Sequence, residues 1–225
     1  IVCISWTYGS GGVNIGFKLA DKLKINFYDA EIFEAVLKRL EAQKDSIQDS
    51  VSYGIKPGIK KEPAHDQDAN VNPSEAFIPE RHLTLRQRMR EFSRFHGLPK
   101  RDAVFFNESD LLVDMAKKED FVILGRCGDA IMANNNIPHI SIYITAPFEQ
   151  RIKRAMEIDS SLTVKQARHM LKHLDHVHSQ YYHYYTNRNW GHSNNYDLCI
   201  NSASYGIDGT VDFIYRMITA REEDK

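Results

Sequence analysis

The run Tyr8-Gly9-Ser10-Gly11-Gly12-Val13-Asn14 has the composition of an anion site. Its glycines let the main chain curl close to an anion with no side chain in the way, and successive N–H groups can then converge on one point. Where such a turn opens a helix, the helix dipole adds about half a positive charge. The chemistry is phosphate binding, with Gly9, Ser10, Gly11, Gly12, Val13 and Asn14 as candidate contacts. A structural tight turn is the alternative. A full GxxxxGK[ST] sequence supplies a Lys for the outer phosphates and a hydroxyl for Mg²⁺. At the start of its helix this chain has Gly12 and Asn14, and neither can do that work. The dinucleotide pattern GxGxxG fails as well, because its third glycine falls on Asn14.

Any phosphate chemistry then needs cations from elsewhere in the chain. Arg126 follows the apolar run Phe121–Leu124 and sits where a strand ends; a capping salt bridge is its alternative role. Arg151 and Arg154 lie three apart on one helix face, so both could reach one phosphate, with Lys153 beside them. Asp29 could hold Mg²⁺-bound water or a substrate hydroxyl, or it could cap the helix expected from Ala30. His169, His173, His176, His178 and His183 include an i,i+4 pair, yet no third ligand with a persuasive spacing and no HExxH accompany them. Surface imidazoles are expected there.

The elements that must position these residues alternate. Ile1–Ser5 reads as a buried strand, Asn14–Leu23 as a helix with Ile15, Leu19 and Leu23 on one stripe, Lys24–Tyr28 as a strand and Ala30–Leu40 as a helix. Residues 41–96 break the rhythm: the stretch is polar, carries four prolines up to Pro79, and ends in a basic helical candidate bearing Arg81, Arg86, Arg88, Arg90 and Arg94. Order returns with a helix over Asn107–Lys118 and the strands Phe121–Leu124 and Ile137–Ile144. Helices over Phe148–Ile158 and Thr163–Tyr185, a strand over Tyr196–Asn201 and a helix over Gly209–Met217 follow. The pattern predicts one α/β domain over 1–225, a five-stranded parallel sheet flanked by helices, with 41–96 as a variable substrate-side insertion and 148–185 as lid-like helices. Parallel sheets bind ligands at the carboxyl ends of their strands, where the glycine turn, Gly125-Arg126 and Thr145-Ala146-Pro147 all fall.

Composition excludes other classes. The formal net charge of −1 offers no overall positive field for a nucleic acid or an anionic membrane, so neither is an expected partner. No apolar run reaches the roughly 20 residues of a membrane span, and the first residues lack a signal-peptide pattern. Cys3, Cys127 and Cys199 form no ligand or disulfide spacing; Cys3 and Cys199 lie in apolar runs, so buried reduced thiols in a cytoplasmic protein are expected. Tyr181, Tyr182, Tyr184 and Tyr185 cover their helix on all sides, which points to exposed rings or to a homodimer through that helix.

Taken together, Tyr8-Gly9-Ser10-Gly11-Gly12, Phe27-Tyr28-Asp29, Val122–Cys127, Ala146–Arg154, Tyr181–Thr186, Asn189-Trp190-Gly191 and Tyr196–Asn201 resemble the cytidylate kinase-like proteins over nearly the whole chain outside 41–96. The resemblance implies a P-loop fold of the nucleoside monophosphate kinase kind. It also implies phosphoryl transfer from ATP, with Mg²⁺, to a nucleoside monophosphate (CMP above all) or a similar small acceptor. By the same resemblance Arg126 holds the acceptor phosphate. The family often has Arg where this chain has Trp6, an Arg-Glu pair at Val13-Asn14, and a lid Arg at His178. A single arginine finger is worth roughly 10³–10⁵ in rate. A nucleotide-binding module that has lost turnover and serves as a sensor or partner-binding protein is therefore the second reading.

Overall fold

In a computed structural model of the chain, residues 1–30 and 100–223 are described. They form β1 (Val2–Trp6), α1 (Gly12–Leu23), β2 (Asn26–Tyr28), α2 (Lys100–Ala116), β3 (Phe121–Leu124) and α3 (Gly128–Asn134). These are followed by β4 (Ile140–Thr145), α4 (Phe148–Ile158), α5 (Val164–Thr186), β5 (Leu198–Asn201) and α6 (Ser202–Glu223). The strands make one parallel sheet in the order β2-β3-β1-β4-β5. The expected helix from Ala30, the 41–96 insertion and the basic helix with Arg81–Arg94 lie outside the described residues.

Strand side chains alternate across the sheet, and the alternation builds two cores. Val2, Ile4 and Trp6 of β1, with Val122 and Leu124 of β3, face Ile15 and Leu19 of α1 and Ile214 of α6. Cys3 of β1, with Phe121 and Ile123 of β3, faces Leu112 of α2, Met132 of α3 and Tyr182 of α5. A third cluster joins α4 to α5 through Ile152, Ala155, Ala167, Leu171 and Leu174, and Tyr8 belongs to it. The residue that leads into the glycine turn is thus packed against α4 and α5.

Several boundaries move for local reasons. Lys24 adopts a left-handed conformation (φ 58°) and its N–H closes α1 on Ala20 and Asp21, so β2 starts at Asn26. The Ile137 N–H bonds back to Met132, and Pro138 has no N–H for a ladder, so β4 starts at Ile140. The short helix α3 was not legible between Gly125 and Ile137. The last helix is longer than Gly209–Met217: it runs from Ser202 and bends at Gly206, whose φ of 69° is non-helical. Cys199, expected to be buried, is exposed because β5 is an edge strand paired only with β4. Cys3 and Cys127 are buried, and burial pushes both thiols well up. No helix among the described residues is long and apolar enough to cross a membrane.

Candidate nucleotide and acceptor site

The glycine turn lies between β1 and α1 at the carboxyl edge of the sheet. Gly9 and Gly11 both take left-handed conformations, with φ of 76° and 80°. At Gly9 a side chain is excluded twice, by that φ and by the Arg151 carbonyl oxygen, which would lie 2.9 Å from a β-carbon. The N–H of Ser10 bonds within the turn to the Thr7 carbonyl, and its Oγ donates to the Ile144 carbonyl. Ser10 therefore closes the loop with its own amide. Gly11 is the N-cap of α1 and accepts from the Ile15 N–H. The N–H groups of Gly12, Val13 and Asn14 are in the first turn of that helix, where no intrahelical acceptor exists. Among the described residues they are candidate donors to an anion, and no acidic side chain lies in that turn to oppose one.

Arg151 and Arg154 have different surroundings. Arg151 is buried beneath the turn, donating from Nη1 to the Tyr8 carbonyl at 3.1 Å and to Asp175 Oδ2 at 2.7 Å. Arg154 is on the open side: a β-carbon at Gly11 would lie 3.1 Å from its guanidinium. Three residues apart on α4, one arginine packs under the loop and the other lies beside it. Arg154, Lys153, Gln150 and Glu157 of α4, with Gly9 and Ser10 below and Ala203, Gly206 and Ile207 of α6 opposite, line a cleft of about 520 Å³. The bend at Gly206 shapes its far wall. Gln150, Glu157, Ser202 and Ile207 had no signal in the sequence, since nothing there shows that α4 and α6 face each other. Ser202 ties the walls together, its Oγ donating to the Ser10 carbonyl at 2.6 Å.

On the other side of the turn the crevice is aromatic. A β-carbon at Gly12 would collide with the Trp6 side chain, and one at Gly125 would lie 3.3 Å from the far edge of the same indole. Trp6 thus fills the space between the glycine turn and the end of β3. His178 of α5 meets it edge to face at 5.5 Å, lies 5.8 Å from Trp190, and its Nε2 is 3.2 Å from the Tyr8 hydroxyl. Burial, helped by the Arg126 charge nearby, pushes the His178 imidazole down to about 4, so it is neutral at pH 7.

Gly125, Arg126 and Cys127 are consecutive left-handed residues, with φ of 71°, 56° and 56°. Two of them are not glycine, a strained arrangement that the surroundings must hold. Arg126 pairs with Glu108 of α2 at 3.4 Å, and the Glu108 side chain is almost wholly buried. Asp29 lies half-buried just past β2. Among the described residues no group of three His, Cys, Asp or Glu side chains could hold a metal. His169, His173, His176 and His183 are exposed on α5. Of the four tyrosines, Tyr182 is buried and donates to Asp129 at 2.6 Å, Tyr185 stacks on Phe105 with ring centres 3.8 Å apart, and Tyr181 is partly buried; Tyr184 is exposed.

A parallel 2-3-1-4-5 sheet with a glycine turn between its central strand and a helix, and a cation-lined cleft beside it, is the fold of a P-loop kinase. The model of the cytidylate kinase-like family matches residues 1–204, and the chain belongs to that family. No curated protein matches the sequence. Among solved structures, an uncharacterized protein from Eubacterium ventriosum ATCC 27560 is similar at 24% identity and TM-score 0.64, with 97% of each chain covered. A shikimate kinase from Bacteroides thetaiotaomicron is 12% identical with TM-score 0.48 and 97% of each chain covered. One from Aquifex aeolicus vf5 is 16% identical with TM-score 0.43 and 100% of each chain covered.

Proposed function

We propose that the protein transfers the γ-phosphoryl group of ATP to a small acceptor, with a nucleoside monophosphate, CMP first, as the acceptor to test. The observation that carries this reading is the glycine turn, with the first-turn N–H groups of Gly12–Asn14 lacking intrahelical acceptors, beside a cleft floored by Gly9 and Ser10 whose one wall bears Lys153 and Arg154. That pairing suits a polyphosphate attached to a planar group: the amides take phosphate oxygens, and the cleft takes the remainder.

Phosphoryl transfer demands little covalent chemistry from a protein and much positioning. The acceptor oxygen attacks the γ-phosphorus in line, the bond to the β–γ bridging oxygen breaks, and ADP leaves while the acceptor proton passes to solvent or a base. Charge grows on the bridging and equatorial oxygens. The amides of Gly12–Asn14 and the guanidinium of Arg154 face it from the donor side. Arg126 follows Gly125, which meets the far edge of the Trp6 indole, and this is the side assigned to the acceptor. Mg²⁺ usually binds through one or two carboxylates together with substrate phosphates and water. Asp29, just past the end of β2, is the carboxylate assigned that role in this reading, and the metal would supply further charge neutralisation.

The experiment is a thermal-shift panel of nucleotides with and without Mg²⁺, followed by coupled ADP release with each common nucleoside monophosphate. ATP well above its dissociation constant raises the midpoint by several degrees. An unchanged midpoint with every nucleotide would overturn the reading.

A further inference from the structure

The Arg151–Asp175 pair does more than join α4 to α5. Asp175 Oδ1 accepts from the N–H of Tyr8 at 3.1 Å, while Arg151 donates to the Tyr8 carbonyl at 3.1 Å and to the other Asp175 oxygen at 2.7 Å. One ion pair therefore holds the peptide that enters Tyr8 and the peptide that leaves it for Gly9. The second of these fixes which way the Gly9 N–H points, because a peptide's N–H and C=O are opposed across one plane. Gly9 has no side chain to hold its own conformation, and it takes a left-handed φ of 76°. Arg151 is almost completely buried and Asp175 is largely so, in a pocket closed by the Tyr8, Ile152, Leu171 and Leu174 cluster. Burying such a pair carries a desolvation cost that its attraction must offset, and removing one partner leaves the other charge buried and uncompensated.

We propose that Asp175 is a positioning residue of the phosphate turn: through Arg151 and Tyr8, the docking of α5 sets the direction of the Tyr8–Gly9 peptide, and so the path by which the turn enters the first-turn amides of α1. Asp175 touches no substrate in this scheme. Its catalytic consequence rests on the function proposed above, whereas the geometric claim does not. It makes the turn and the lid helix one mechanical unit, so that a shift of α5 along its axis would turn the Tyr8–Gly9 peptide. Burial raises the Asp175 carboxyl, with the Arg151 bonds opposing, which is the behaviour of a carboxylate kept dry for a partner.

Amide hydrogen exchange of the ligand-free protein and binding of ATP and of adenosine test this together, in the parent, Asp175→Ala and Asp175→Asn. Asparagine keeps an oxygen for the Tyr8 N–H but loses the charge facing Arg151. The proposal expects Asp175→Ala to speed exchange at Gly9–Val13 at least tenfold while the β3 amides of Val122–Leu124 keep their parent rates. It also expects ATP to bind at least tenfold more weakly, adenosine to change less than twofold, and Asp175→Asn to fall between. Parent-like exchange at the turn in Asp175→Ala, or an equal loss of ATP and adenosine affinity, would overturn it. Should Asp175→Ala fail to fold, the same comparisons are made on Asp175→Asn, with at least threefold as the expected change in each and parent-like values overturning the proposal. Faster turn exchange in a protein whose parent binds no ATP would uphold the clamp and remove the proposed function instead.

Discussion

Trp6, the last residue of β1, and His178, halfway along α5, meet edge to face with ring centres 5.5 Å apart. They are two positions at which family resemblance leads one to expect arginine. The contact shows why the two departures belong together. An indole and a neutral imidazole can share one dry crevice, whereas either cation set against the other's aromatic replacement would be buried beside Arg126. Cationic side chains lie around that crevice, with Arg154 and Lys153 on the cleft wall and Arg126 next to Gly125, which meets the far edge of the indole.

The first prediction concerns Gly12. Its missing side chain is required by Trp6, so Gly12→Ala destabilises by about 1–3 kcal/mol, the usual cost of overpacking. Gly12→Lys, which would write a Walker lysine into the turn, lowers stability further without raising turnover. Pairing it with Trp6→Ala relieves the clash and recovers part of the loss. Urea unfolding of the three variants measures this.

A second prediction follows from His178. Its folded-state value of about 4 lies below the usual 6.5, so the unfolded chain takes up the proton first. The corresponding stability is fully present above pH 6.5 and is lost progressively as pH falls toward 4, amounting to roughly 3 kcal/mol in all. His178→Phe removes the proton uptake and flattens the stability curve over that interval. Denaturant midpoints between pH 7 and 4 report it.

How far the sequence carried can be judged at particular residues. The alternation of apolar runs with helical stripes was enough for five parallel strands, because a strand buried on both faces, such as Phe121–Leu124, can hardly be anything else. The glycine turn and the site cations were visible by residue type. Their division of labour was not: Arg151 and Arg154 have the same chemistry and share a helix, and only the position of Asp175, 24 residues on, decides which one turns under the loop. Asp175 itself looked like any acid on an amphipathic helix. The cleft between α4 and α6 depends on strand order, which the sequence does not write down.

The third prediction separates the two roles left open for Arg126. Arg126→Ala removes a cation from a nearly fully buried Glu108, which costs about 3–5 kcal/mol where no other group compensates. Glu108→Gln in the same chain restores part of that, and a double-mutant cycle gives the coupling. If Arg126 also clamps the acceptor, Arg126→Lys, which keeps the charge but not the planar fork, binds CMP more weakly with ATP affinity unchanged. Calorimetric titration with each ligand distinguishes the outcomes.

Arg154 carries the fourth prediction. It lines the cleft beside the turn, so Arg154→Ala weakens ATP by about 1.5–3 kcal/mol, roughly 10- to 100-fold. Adenosine affinity changes little. A matching loss for both ligands would mean that the side chain holds the cleft wall and not the phosphates.

The most direct test of the account is coupled ADP release at saturating ATP and Mg²⁺, measured across the common nucleoside monophosphates with ATP binding verified in the same preparation. The account predicts ADP formation that depends on acceptor, saturates with it, and falls at least tenfold in Arg154→Ala. Folded protein that binds ATP yet releases no acceptor-dependent ADP with any of them would contradict it.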